Sequence, residues 1–91
     1  MYKLVRTTQF KKDIKKYKYS KPTIEAFKQI TELLIHGKEL PANAKDHELH
    51  GELRKCRECH VRPNVCLIYK KDENNDAIYF VRLGSHSDLF E

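Results

Sequence analysis

Long apolar runs are missing from the start of this chain: within its first thirty residues no more than two apolar residues stand together. That leaves no core for a secretory signal and nothing that could cross a bilayer, which takes about 20 apolar residues in succession. The expected location is therefore the cytoplasm, with no membrane partner. Glycine and proline are scarce too, at three each, which excludes collagen-like and low-complexity chains. The three cysteines, Cys56, Cys59 and Cys66, are an odd number. Without an export signal they argue for free thiols rather than a disulfide framework.

What is present is ordinary for a globular chain: 91 residues, 40% of them hydrophobic and 34% charged. A chain this short buries only roughly 60–65% of its unfolded surface. One domain over residues 1–91 with one modest core is expected, so any function sits on a single scaffold. Eighteen Lys and Arg against thirteen Asp and Glu leave a net charge of +5, the balance of a protein that meets polyanions; a merely solvated surface is the plain alternative.

Periodicity orders the chain. Lys3-Leu4-Val5-Arg6 reads as a short strand, and Thr7 or Thr8 suits the cap of a following helix. In that helix Phe10, Ile14 and Tyr17 recur at i, i+4 and i+7, while Lys11, Lys12, Lys15, Lys16 and Lys18 make the outer face basic. Pro22 suits the first turn of a second helix with a stripe of Ile24, Phe27, Ile30 or Thr31, and Leu34, which Gly37 is placed to end. Residues 38–52 follow neither period and read as an ordered loop with about one helical turn. Three strands then form a meander: about 53–61, ending at the turn Arg62-Pro63-Asn64; 65–70, with a continuous apolar run from Val65 to Tyr69 and hence covered on both faces; and 77–83, after the polar loop 72–76. The pattern β-α-α-β-β-β predicts an α+β fold, with two N-terminal helices packed on one face of a small, twisted, mostly antiparallel sheet and the other face open to a ligand.

The candidate chemistry gathers near the meander. His47, His50, His60 and His86 fall before, within or just after it, and imidazoles that titrate near neutrality are the usual agents of proton transfer. Taken singly, each is better explained as a surface or hydrogen-bonded side chain. Strand alternation places Arg54, Cys56, Glu58 and His60 on one face and Lys55, Arg57 and Cys59 on the other. Arg82, with Arg54 or Arg57, offers the fixed positive charge that a phosphate in transit needs. A cationic sheet with His and Glu fits the cleavage of RNA, whose 2′-hydroxyl is a built-in nucleophile; a salt-bridged solvent face is the alternative. Cys56-Arg57-Glu58-Cys59-His60 matches a haem-attachment pattern, and His47-x-x-His50 with Cys56-x-x-Cys59 outlines a zinc pattern. A strand would splay both cysteines to opposite faces, so neither haem nor metal is expected.

From Lys45 onward the sequence resembles the YafQ branch of the RelE/ParE toxin superfamily. The resemblance rests on Lys45-Asp46-His47-x-Leu49-x-Gly51, Arg57-Glu58-Cys59-His60-Val61-x-Pro63-Asn64, Leu67-Ile68-Tyr69 and Arg82-Leu83-Gly84-Ser85-His86-Ser87-x-Leu89-Phe90. It implies a RelE-like fold and a ribosome-dependent, metal-independent endoribonuclease that cuts messenger RNA and is restrained by a cognate antitoxin, with no cofactor. It also implies proton transfer by His47, His60 and His86, with Glu58 beside them and Phe90 assisting. Arg82, with Arg57 or Lys55, would stabilise phosphate charge, and Arg54 and Asn64 would lie along the RNA. Asn64 stands where relatives often carry Asp, and an amide cannot accept a proton as a carboxylate does. Val65 replaces an aromatic of some relatives. Two other readings stay open: a toxin of the same fold that binds a protein such as a topoisomerase, and a purely RNA-binding member.

Overall fold

A computed structural model describes residues 1–90. The elements run β1 (Lys3–Arg6), α1 (Thr8–Lys15), α2 (Lys21–Ile35), β2 (His47–Glu48), β3 (Arg57–Arg62), β4 (Val65–Asp72), β5 (Ala77–Gly84) and α3 (His86–Phe90), with short 3-10 turns at Ala42–Ala44, Gly51–Leu53 and Glu73–Asn75. They form one five-stranded sheet in the order β1-β5-β4-β3-β2. The β1–β5 pair is parallel and the others are antiparallel. The α+β layout expected from the pattern is therefore observed.

Local chemistry explains the elements. Thr7 caps α1, its hydroxyl accepting from the Phe10 amide at 3.1 Å and donating to the Phe80 carbonyl at 2.9 Å, so the cap also ties the helix to β5. α1 ends at Lys15, yet Tyr17, just beyond it, still packs against the core. Pro22 lies in the first turn of α2, where its missing N–H costs nothing. Gly37 (φ 67°) ends that helix, with its own amide on the Leu34 carbonyl and that of Lys38 on the Leu33 carbonyl.

Phe10, Ile30 and Leu34 from the helices meet Cys59, Leu67, Tyr69, Ile78, Phe80 and Leu83 from the sheet in the main core. Within it Phe10, Phe27 and Phe80 form a three-ring cluster with centroids 5.2 to 5.7 Å apart. The alternate residues Glu58, Cys66 and Ile68 are buried as well, at 2%, 2% and 1% exposure, but do not belong to that core. β4 is thus covered on both faces, as its unbroken apolar run predicted, and the face expected to be open is partly closed. α3 packs against β5 at that end of the sheet.

Two expectations need correction. β3 begins at Arg57 rather than near residue 53. Gly51 has φ 74°, the 3-10 turn Gly51–Leu53 follows, and the Cys56 amide bonds the Leu53 carbonyl, so Arg54 and Cys56 lie on a turn and not on the Glu58 face of a strand. The segment read as a loop contains β2, two residues long, paired His47↔Glu58 and Glu48↔Arg57. No period can be read from two residues.

Candidate functional site

The register of the sheet assembles the site. Glu58 lies across from His47 on one side and Ile68 on the other, and Ile68 is across from Arg82; His60 is across from Cys66, and Cys66 from Gly84. Chain reversal after Gly84 starts α3, which swings His86 over the same face. Its Nε2 donates to Glu58 Oε1 at 3.0 Å, while His47 Nε2 stands 3.5 Å from the same oxygen. The rings of His60 and His86 meet edge to face at 5.7 Å between centroids, and those of His86 and Phe90, one helical turn apart, at 5.5 Å.

Burial separates the roles. The Glu58 side chain is 2% exposed, whereas those of His47 and His86 are 51% and 60% exposed. The imidazoles can meet a substrate; the carboxylate beneath them can only hold them. Among the described residues Glu58 Oε2 is buried without a hydrogen-bond partner, so the centre carries an acceptor in its floor that they leave uncompensated. His47 Nδ1 lies 2.7 Å from the Lys45 carbonyl. A carbonyl can only accept, so Nδ1 carries the hydrogen and Nε2 is the nitrogen turned to Glu58 and solvent.

Of the residues singled out from sequence, His47, Glu58, His60, His86 and Phe90 are brought together. Phe90 is 48% exposed and packs on His86 rather than filling the core. The cations are placed otherwise than expected. Arg57 points to the helix side, held by Asp46 through Nε and Nη2 at 3.2 Å each and by Glu48 at 3.5 Å. It is bound in ion pairs and does not face the cluster. Arg82 shares the Glu58 face by register, but its guanidinium turns to buried Asp13, with Nε to Oδ2 at 2.8 Å. The same Oδ2 accepts from the Leu83 amide at 2.9 Å. β1 pairs with β5 only as far as Phe80, so the Leu83 amide lies past the parallel pairing, and Asp13 supplies its partner. Burial acts to raise the Asp13 carboxyl, but hydrogen bonds from Arg82, Leu83 and Gln9 outweigh it and hold the group below its ordinary range.

Arg54 and Lys55 are exposed and line a separate basic groove with Lys70 and Lys71; the latter two were not singled out. Asn64 is exposed in the β3–β4 turn. Cys66 was also missed. It lies in the floor across from His60, and the tight turn at Arg62-Pro63-Asn64 was the signal, since a hairpin reversing there brings residues 60 and 66 face to face. Burial, reinforced by Glu58, pushes the Cys66 thiol up to about 11, and burial above all pushes that of Cys59 up to about 12. Both stay protonated at neutral pH and are poor nucleophiles. The donor atoms of Glu58, His60, Cys66 and His86 nevertheless lie within 4.8 Å of one another. With Glu58 Oε2 lacking a partner, this carboxylate, imidazole and sulfur set fits a borderline or soft cation such as zinc or copper.

The sequence and the fold both match known proteins. The sequence profile described as "Bacterial toxin of type II toxin-antitoxin system, YafQ" matches residues 2–91. The chain belongs to the YafQ toxin family. An Escherichia coli (strain K12) relative, "mRNA interferase toxin YafQ", is 36% identical over 83 residues, covering 90% of this chain and 88% of the relative. Among solved structures, a copper-bound mutant toxin from Helicobacter pylori superposes with TM-score 0.90 at 33% identity, covering 99% of this chain and 100% of that one. YafQ from the E. coli DinJ–YafQ complex gives 0.87 at 33% identity and complete coverage of both chains. Among the described residues no helix is long and apolar enough to cross a membrane.

Proposed function

We propose that this YafQ-family toxin cuts messenger RNA on the ribosome, in the cytoplasm, by transesterification at a single phosphodiester. The observation that carries the reading is the convergence of His47, His60 and His86 over the buried Glu58 carboxylate. His47 offers Nε2 as the acceptor of the 2′-hydroxyl proton, since its Nδ1 hydrogen is held by the Lys45 carbonyl. The freed 2′-oxygen attacks the adjacent phosphorus, the bond from phosphorus to the 5′-oxygen breaks, and a protonated imidazole, His60 or His86, returns a proton to that oxygen. The products are a 2′,3′-cyclic phosphate and a 5′-hydroxyl. Glu58 works as a positioning residue, orienting His86 through its Nε2–H. Phe90, half exposed beside His86, offers a face on which a base can stack.

In this scheme proton transfer needs the ring nitrogens free. A cation held by Glu58, His60, Cys66 and His86 would supply Lewis acidity when bound, but it would occupy those nitrogens. The reading is of a metal-independent ribonuclease, like the interferase relatives in reaction and like the copper-bound relative in being able to take up metal. Its partner is an antitoxin whose acidic segment suits the basic groove and blocks RNA while bound.

The test is a translated message carrying one 2′-deoxynucleotide at the mapped cut. Cleavage on ribosomes that disappears with the single deoxy substitution and leaves a 5′-hydroxyl is expected. Undiminished cutting of the deoxy message would exclude 2′-hydroxyl attack.

A further inference from the structure

His47 is the one member of the cluster not carried by a long strand or by the helix following one. It sits on a two-residue strand, directly after Asp46 and a Lys45 whose φ of 50° places a side-chain-bearing residue in the left-handed region. Two residues of pairing cannot fix a register by themselves. Asp46 supplies the anchor. Its Oδ1 accepts from the Tyr69 hydroxyl at 2.5 Å and from Arg57 Nε at 3.2 Å, and its Oδ2 accepts from Arg57 Nη2 at 3.2 Å. Tyr69 is 0% exposed in the core on β4, and Arg57 neighbours Glu58 on β3, so the anchor is built from two long paired strands. A fork of charged hydrogen bonds fixes direction as well as distance. Asp46 is turned toward the helix side, its neighbour His47 therefore turns to the other face, and the Lys45 carbonyl is left to receive Nδ1–H at 2.7 Å.

We infer that Asp46, clamped by Tyr69 and Arg57, is the positioning residue for His47: it sets the ring's rotation and tautomer and so delivers Nε2 to Glu58 and substrate. The consequence for cleavage rests on the ribonuclease reading above; the geometry does not. The clamp also gives Arg57 a task other than holding phosphate.

Two variants test it. Asp46→Asn keeps an acceptor for Tyr69 but removes the charge that grips Arg57; Tyr69→Phe removes one hydroxyl and keeps the ring. In nitrogen-15 spectra of the free protein, at a pH where the ring is neutral, wild-type His47 should show a single tautomer with hydrogen on Nδ1, protected from exchange. Both variants should show averaged tautomers and fast exchange. Message cleavage should fall by up to about a hundredfold, in kcat rather than KM, as expected for a displaced proton acceptor. An unchanged His47 ring in both folded variants would overturn the inference. So would lost cleavage with the His47 signature intact, which would make Asp46 a substrate-binding group. If Asp46→Asn fails to fold, Tyr69→Phe carries both measurements. A wild type that cuts no translated message would contradict the ribonuclease reading, and the ring spectra would still decide the clamp.

Discussion

Asp13 shows how a single buried carboxylate links the helical layer to β5. It is 1% exposed, yet it satisfies the Leu83 amide and engages the Arg82 guanidinium. Asp13→Ala would leave the buried Leu83 amide without its acceptor, while the part-exposed Arg82 can turn to water, so the loss should be about 1–3 kcal/mol. Urea unfolding should show that loss at neutral pH. The sign with pH follows from the lowered carboxyl: a depressed acid stabilises the fold above its unfolded value, and that contribution disappears as pH falls through the folded value. The gap between wild type and variant should therefore close below about pH 4. A gap independent of pH would show that Asp13 acts by packing alone. Metal sensitivity belongs to the same scale. Cleavage should persist in EDTA and fall on adding zinc or copper, because the ion competes for His60 and His86; loss of cleavage in EDTA would instead make a metal part of the machinery.

Elements with a strong period were legible from sequence, and those without were not. The amphipathic spacing in α1 and α2, Gly37 as a cap and the unbroken apolar run of β4 all express local rules that tertiary packing did not override. β2 and α3 are different. One is two residues long and the other five, and both are held by partners remote in sequence, Asp46 to Tyr69 and His86 to Glu58. The same limit explains the arginines: their type announced positive charge, but Asp13 and Asp46, which engage them, are 69 and 11 residues away. Glu58 and His60 were legible because two residues apart on a strand share a face; His47 and His86, on β2 and α3, were reached through the family resemblance. Cys66 needed the hairpin register as well. The exposed lysines of α1 and its C-terminal cap, Lys11, Lys12, Lys15 and Lys16, lead to a prediction at this scale. Changing all four to Gln should weaken ribosome binding and flatten its fall with salt, since each phosphate left unneutralised takes roughly one counterion out of the slope. An unchanged slope would leave these lysines as a solvated face.

At the scale of the whole molecule, one sheet separates two tasks. Its helix side makes the main core, with the phenylalanine cluster and buried Tyr69; its other side presents three imidazoles over Glu58. The net charge of +5 suits a polyanion partner, while in the proposed reaction the proton transfers fall to the imidazoles. Proton transfer by a positioned side chain contributes about a hundred- to ten-thousandfold in rate, far more than one surface interaction. The most direct test is primer extension on a message translated with wild-type protein, His60→Ala or His86→Ala, each confirmed as folded by circular dichroism. Proton transfer by these imidazoles predicts ribosome-dependent cuts with wild type and at least about a hundredfold less cutting with either variant. Cutting that survives both substitutions at the wild-type rate would contradict it.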